Sequence, residues 1–400
     1  MTTERARPLS TPLIMLMAVA IGVIVANLYY LQPLLHQLRG EFHVDTANAS
    51  LLMTLTQIGY ALGLAFLVPL GDLIPRRRLV VAIFVVASLM MMLGATLTSF
   101  VPFAVVSLLI GVISVGAQVI IPFAADLADP AQRGRVIARV MSGLLLGILL
   151  SRTVSGLVAQ VAGWRSVYWG AAAVLAAMAY VLHRVLPDEP VREHMTYSAL
   201  VASTFTLFVS SGQLRQRAWS GALAFAAFNT LWTTLSFHLA APPFSYSNAV
   251  IGLFGLFGVA GVAAANATGH VADKQRSPLA SIVAALLITL AFVIVAWGRH
   301  NFWWMAIGIV VLDAGMQGTH VTNQSVIYAL MPEARSRVNS AYMVSCFLGA
   351  SLGSFLSGQL YAAYGWTGDC WLGVALGLGL VIPALKWPTP TPETALSERV

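Results

Sequence analysis

Residues 130–169, PAQRGRVIARVMSGLLLGILLSRTVSGLVAQVAGWRSVYW, decide the fold, because their pattern returns at 332–371 as PEARSRVNSAYMVSCFLGASLGSFLSGQLYAAYGWTGDCW. Sliding the second half back by 202 residues lays Pro332 on Pro130, Arg335 on Arg133, Arg337 on Arg135 and Gly349 on Gly147. The same shift lays Gly358 on Gly156, Gly365 on Gly163, Trp366 on Trp164, Trp371 on Trp169 and Asn229 on Asn27. With a shift of 201, Asp273 falls on Asp72. Matches of this quality in one order imply two halves in the same orientation. An axis along the membrane normal relates such halves and places a cavity between them at mid-membrane.

Working outward, the 400 residues are 58% hydrophobic and only 9% charged, with a mean hydropathy of +0.81. An ordinary soluble domain is about one quarter charged. Uncharged runs of 31 residues after Arg7, 26 after Asp45, 47 after Arg78 and 55 after Arg217 exceed what a soluble core needs. A spanning helix takes about 20 apolar residues, because lipid leaves every backbone N–H and C=O to be satisfied within the segment. Splitting the runs at Pro, Gly and polar breaks predicts helices near 12–35, 47–70, 79–99, 101–125, 137–161, 165–186, 218–241, 248–271, 278–298, 301–330, 338–363 and 366–386. The expected fold is an all-α membrane protein of twelve transmembrane helices in two six-helix pseudo-symmetric bundles. The bundles are expected at 1–190 and 218–388, with a cytoplasmic linker at 191–217 and a disordered, Pro-rich tail at 389–400. Within the linker, 196–213 interleaves Leu, Val and Phe with Ser and Thr and reads as an amphipathic helix.

Basic residues are retained on the cytoplasmic side. With both termini inside, 18 of the 22 Lys and Arg fall on that side, Arg39, Arg165 and Arg299 fall on the other, and Arg152 lies within a span. The expected location is a bacterial-type cytoplasmic (inner) membrane. The short basic N-terminus runs into helix 1 without a small-residue cleavage site, so no removable signal is expected. The net charge of +7 reflects topology, and no nucleic-acid partner is expected. Cys346 and Cys370 have no metal or redox spacing, the eight histidines form no His-x-x-x-His pair, and no Gly-rich loop ends in Gly-Lys-Ser or Gly-Lys-Thr. These patterns predict no metal, no cofactor, no ATP and no enzyme.

The loop after helix 2 reads Gly71-Asp72-Leu73-Ile74-Pro75-Arg76-Arg77-Arg78, and its counterpart reads Gly269-His270-Val271-Ala272-Asp273-Lys274-Gln275-Arg276. With Pro130-Ala131-Gln132-Arg133-Gly134-Arg135, Gly163-Trp164-Arg165 and the repeat, the chain resembles the major facilitator superfamily over 11–386. The first loop matches the family's Asp and basic cluster and lacks both of its glycines and its first Arg, while the second keeps the Gly and the Asp. Helix 5, Gly147 to Gly156, is similar to the glycine and proline run of the drug/metabolite:proton antiporter (sugar efflux-like) 12-helix branch. Ser151 and Ser155 replace glycines there, and Arg152 stands where that branch has Pro. The resemblance implies a transporter working by alternating access, with helices 1, 4, 7 and 10 lining its cavity.

An Asp followed by three Arg at the end of a helix can form a charge-assisted latch. Asp72, Arg76, Arg77, Arg78 and Asp273 are therefore the candidate cytoplasmic gate, and topology with headgroup contact is the rival reading. A charge at mid-helix costs roughly 2.5–3.5 kcal/mol on insertion scales and persists where it pairs or lines a wet cavity. Arg152 is expected to bind an anionic group or to pair with an acid. Asp313, read as the one acid well inside a span, is the candidate proton-coupling group. A permanent bridge to Arg152 is its alternative. His320, two turns on, extends the proton path or packs as a core histidine. Amides within spans bond another helix or a ligand. Asn27, Tyr30, Gln32, Gln118, Asn229, Trp232, Gln317 and Asn323 are the further substrate-binding candidates, and Pro33 and Pro122 are expected to kink their helices.

These features predict a monomeric secondary transporter of a small polar or amphipathic organic solute. Proton-coupled efflux is the expected mode, with protons and the bilayer as its other partners. Proton-coupled uptake or uniport of a small anionic metabolite bound by Arg152 is the alternative. A membrane-embedded enzyme would need a convergent metal or nucleophile set, and a scaffold would be favoured by a large soluble domain. Neither feature occurs in the sequence.

Overall fold

The computed structural model describes residues 10–129, 132–187, 196–258, 277–330 and 335–386, and every regular element among them is helical. Asp273 and the tail lie outside the described residues.

The first expected span is broken. Helix α1 (Thr11–Ala26) stops midway, residues 27–31 run as turns, a 3-10 turn covers Gln32–Leu34, and α2 (Leu35–Glu41) resumes. Pro33 is the cause, since it has no N–H for the Tyr29 carbonyl four residues back and its ring crowds that carbonyl. The Tyr29 carbonyl accepts instead from Gln32 N at 3.2 Å. Helix α3 (Thr46–Leu62) passes through a π turn at Gly63–Leu67, closed by Val68 N donating to Gly63 O at 3.0 Å, into α4 (Leu70–Leu73). Helix α5 (Arg76–Thr96) follows. The expected helix at 101–125 is likewise two pieces, α6 (Phe100–Ile113) and α7 (Gly116–Leu127), with Pro122 inside the second. Helices α8 (Arg133–Ala162) and α9 (Trp164–Val185) meet at Gly163, whose φ of 80° suits a residue without Cβ.

The expected linker helix is present as α10 (Tyr197–Ser210), and Tyr197 Oη donates to Phe66 O at 2.8 Å. Ser211 caps α11 (Gly212–Ala240) by accepting from Leu214 N at 3.2 Å. Helix α12 (Asn248–Leu253) runs into a 3-10 turn at Phe254–Leu256 and is followed by α13 (Ser277–Trp297) and α14 (Phe302–Leu330). The last two expected helices follow within Arg335–Lys386, together labelled α15, and are separated at Gly365, whose φ of 64° and ψ of −155° are not helical. Gly365 is the repeat mate of Gly163, so both halves use glycine for the same turn.

The chain forms two compact units. The first holds Met1–Phe42, Leu55–Val201 and Ser247–Leu253, and the second holds His43–Thr54, Ala202–Tyr246 and Phe254–Val400. Within the first, α1 and α8 approach so closely that a Cβ on Gly143 would lie 2.0 Å from Ala18 O, and one on Gly147 would lie 2.4 Å from Gly22 O. The second repeats the device between α11 and α15, where Gly349 would meet Ala222 O at 2.1 Å and Gly353 would meet Ala226 O at 2.2 Å. Lipid tails are as apolar as leucine, so such helices are held by close van der Waals packing, and small residues are what permit it. Large apolar side chains such as Val101, Val161 and Trp297 are exposed, as a lipid-facing surface requires.

Candidate transport site and mouth network

The break in the first span builds the site of the first unit. Residues 27–32 carry Asn27, Tyr29, Tyr30 and Gln32 on irregular backbone, and Asn27 and Gln32 are buried. Arg152, near the middle of α8, is 3% exposed. Its Nε donates to Gln32 Oε1, and its guanidinium carbon lies 4.9 Å from the centroid of the Tyr29 ring. An amide oxygen and an aromatic face both favour the cation without neutralising it. The Asn27 amide and Gln32 Nε2 are buried with no hydrogen-bond partner among the described residues. Buried amides normally find partners, so these are open donors and acceptors beside a cation. Gln118 Nε2 donates to Tyr60 Oη at 3.5 Å. Tyr30 is half-buried.

In the second unit, Asp313 is 5% exposed, and a Cβ on Gly258 would lie 2.7 Å from its Oδ2. Glycine at 258 makes room for the carboxyl. His320 Nδ1 lies 3.2 Å from Tyr342 Oη, and Asn323 Nδ2 donates to the same oxygen at 3.5 Å. His320 thus sits in a tyrosine-centred cluster, as the packing alternative for it expects, and Arg217 joins the cluster through Asn323 Oδ1 at 3.5 Å. Asn229 turns back on its own helix, donating to Phe225 O at 3.0 Å, while Trp232 stacks near Phe228. Gln317 is half-buried.

At one end of the first unit, Asp72 and Arg76 of the expected gate cluster take part in an ion network with a different centre. Arg76 NH1 donates to Asp126 Oδ2 at 2.6 Å, its NH2 reaches Asp72 Oδ1 at 3.4 Å, and its Nε donates to Gly71 O at 3.3 Å. Arg133 NH2 lies 3.6 Å from Asp126 Oδ1. Asp126, absent from the sequence-based gate, thus holds two arginines, while Arg77 turns to His183 O and Arg78 is exposed. The correction has a simple cause: Asp72 and Asp126 are 54 residues apart in sequence, and only α4, α5 and α7 bring them to one guanidinium. Arg76→Gln is expected to lower stability by about 1.5–3 kcal/mol, the usual worth of a hydrogen bond to a charged group. Arg77→Gln, whose partner is an exposed carbonyl, is expected to cost less. Thermal unfolding of the two variants side by side checks the order.

The family model described as Major Facilitator Superfamily matches residues 17–299 and 277–399. The chain belongs to that family. It is therefore a membrane transporter of small molecules and not an enzyme. It is 45% identical over 376 residues to the transporter YgaY of Escherichia coli O157:H7, covering 94% of this chain and 95% of that protein. It is 30% identical to the probable transporter SCO4007 of Streptomyces coelicolor, covering 93% and 86% respectively. Among solved structures it is similar to a bacterial homologue of the human lysosomal transporter Spinster, inward-facing and occupied, with a TM-score of 0.73 at 12% identity over 94% and 95% of the two chains. At that identity the likeness concerns the fold.

Proposed function

We propose that this transporter moves a small polar organic solute bearing a carboxylate or similar anionic group, by proton-coupled alternating access in a cytoplasmic membrane with both termini inside. Arg152 holds the anionic group, Asn27, Gln32 and Tyr30 orient the solute, and Asp313 carries the proton. The observation behind the assignment is the buried Arg152 guanidinium held by Gln32 and Tyr29, with the open amide groups of Asn27 and Gln32 in the same broken segment. Arg presents a planar fork that matches a carboxylate, which a lipophilic cation would not use. Export is the proposed direction, on the likeness of Gly147 to Gly156 to the proton-antiporter branch. The Asp126–Arg76–Asp72 network is the proposed gate at the cytoplasmic mouth. The contacts of Arg152 with Gln32 and Tyr29 equally favour a second reading, proton-coupled uptake or uniport of a small anionic metabolite.

Proteoliposomes bearing wild type or Asp313→Asn test the scheme. External pH is followed while carboxylated, amino-acid-like, sugar-like and drug-like solutes are added in turn. A carboxylated solute is expected to drive proton movement in wild type, and the variant is expected to move none. Equal proton movement in the variant would make Asp313 structural. Tracer flux without any proton movement would replace coupling by uniport or exchange.

A further inference from the structure

A second carboxyl lies deep in the second unit, apart from Asp313. Asp369, four residues past the bend at Gly365, is fully buried. Ser357 Oγ hydrogen-bonds its Oδ1 and also lies 2.9 Å from Thr230 O. The Thr234 hydroxyl donates to the same Thr230 O at 3.3 Å. Ser357, Thr230 and Thr234 are fully buried too. Asp369 Oδ2 has no hydrogen-bond partner, and no ion pair to Asp369 occurs, among the described residues.

Counting hydrogens decides the state of this cluster. A hydroxyl has one hydrogen to give, and a backbone carbonyl or an ionised carboxylate has none. Ser357 and Thr234 make three contacts, two to Thr230 O and one to Asp369, with only their two hydrogens. An ionised Asp369 would add charge and no hydrogen. A protonated one supplies a third, so that Asp369 donates to Ser357 Oγ while Ser357 donates to Thr230 O.

Among the described residues, no ion pair supplies Asp369 with a counter-charge. On α11, His238 gives Nε2 to Arg299 O at 2.9 Å and stacks its ring 4.0 Å from Trp366, with Arg299 and His300 behind it. On α15, Cys370 adjoins Asp369 as a buried free thiol. Helix α13 has no ionisable residue.

We propose that Asp369, with Ser357, Thr230 and Thr234, is a proton-binding site in which the carboxyl is neutral at neutral pH and acts as a hydrogen-bond donor across α11 and α15. The site is independent of Asp313 and of the transported solute.

Infrared spectroscopy of the purified full chain tests this. Wild type at neutral pH is expected to show a carboxylic-acid C=O stretch that is lost in Asp369→Asn and kept in Asp313→Asn. The difference spectrum showing only carboxylate bands would overturn the proposal. Ser357→Ala removes one acceptor, so the Asp369 band is expected to move to higher wavenumber. That readout decides the matter should Asp369→Asn not fold, and an unmoved band counts against the assignment. Thermal unfolding in NaCl against choline chloride supplies the last arm. Sodium-dependent stabilisation of wild type that disappears in Asp369→Asn would mean that the cluster holds an alkali ion instead of a proton.

Discussion

Arg152→Met is expected to weaken binding of the coupled carboxylated solute by at least about 30-fold while leaving the fold intact. Methionine keeps an unbranched side chain of similar reach but removes the charge, so the roughly 2.5–3.5 kcal/mol insertion cost of a mid-helix cation disappears. Stability should therefore be unchanged or higher. Loss of one partner from a buried charge pair costs about 2–5 kcal/mol of binding, and about 2 kcal/mol corresponds to some 30-fold. Arg152→Lys keeps the charge and loses the planar fork, so its affinity should fall between the two. Solute binding and thermal unfolding measured on the same preparations separate the outcomes. A Met variant that unfolds at a lower temperature and still binds the solute would make the Gln32–Arg152 contact a structural clamp.

Gly143→Val is expected to abolish accumulation of folded protein, and Gly349→Val to do the same from the other unit. The added Cβ at 143 would stand 2.0 Å from Ala18 O, and at 349 it would stand 2.1 Å from Ala222 O. Both obstacles are backbone, which no rotamer change can move aside. Overpacking a core usually costs about 1–3 kcal/mol when side chains can shift. Here the helices themselves must part and forfeit dispersion contacts along their whole seam. Gly134→Ala is the control, since nothing lies within 4 Å of its Cβ. An exposed helical Gly→Ala change should be neutral or gain about 0.5–1 kcal/mol. The yield of monodisperse protein and its unfolding temperature check all three variants. Wild-type yield of Gly143→Val would mean that α1 and α8 are not held by this contact.

Much of this architecture is legible in the sequence because lipid narrows the choices. Backbone groups must be satisfied within each segment, so long uncharged runs can only be helices. The duplication then carries the Gly163 turn to Gly365. Pro33 announced a kink, and the structure adds that its missing N–H shifts hydrogen bonding to a tighter turn at Tyr29 and Gln32. What depends on side chains meeting across the chain was not legible. Gln32 and Arg152 are 120 residues apart, and nothing local marks the amide as the partner of the cation. Asp126 was no part of the gate expected from sequence and turned out to be the centre of the ion network. Asp369 escaped notice because it follows a helix start by a few residues, where an acid ordinarily faces water. The hydroxyls around it gave no warning, since Ser and Thr inside helices satisfy themselves on their own backbone.

The exchange of short segments between the two units bears on how the protein is made. Residues 247–253 complete the first unit, yet the body of that unit ends at Val201. The ribosome therefore delivers the missing piece about fifty residues after the rest, a wait of about 3–10 s at 5–20 residues per second. The second unit, conversely, receives His43–Thr54 long before its own helices exist. The first half is therefore not a finished object at the moment the last helix of its body enters the bilayer. Assembly is a reciprocal trade, and a chain cut at the linker would yield two fragments that each keep a part belonging to the other.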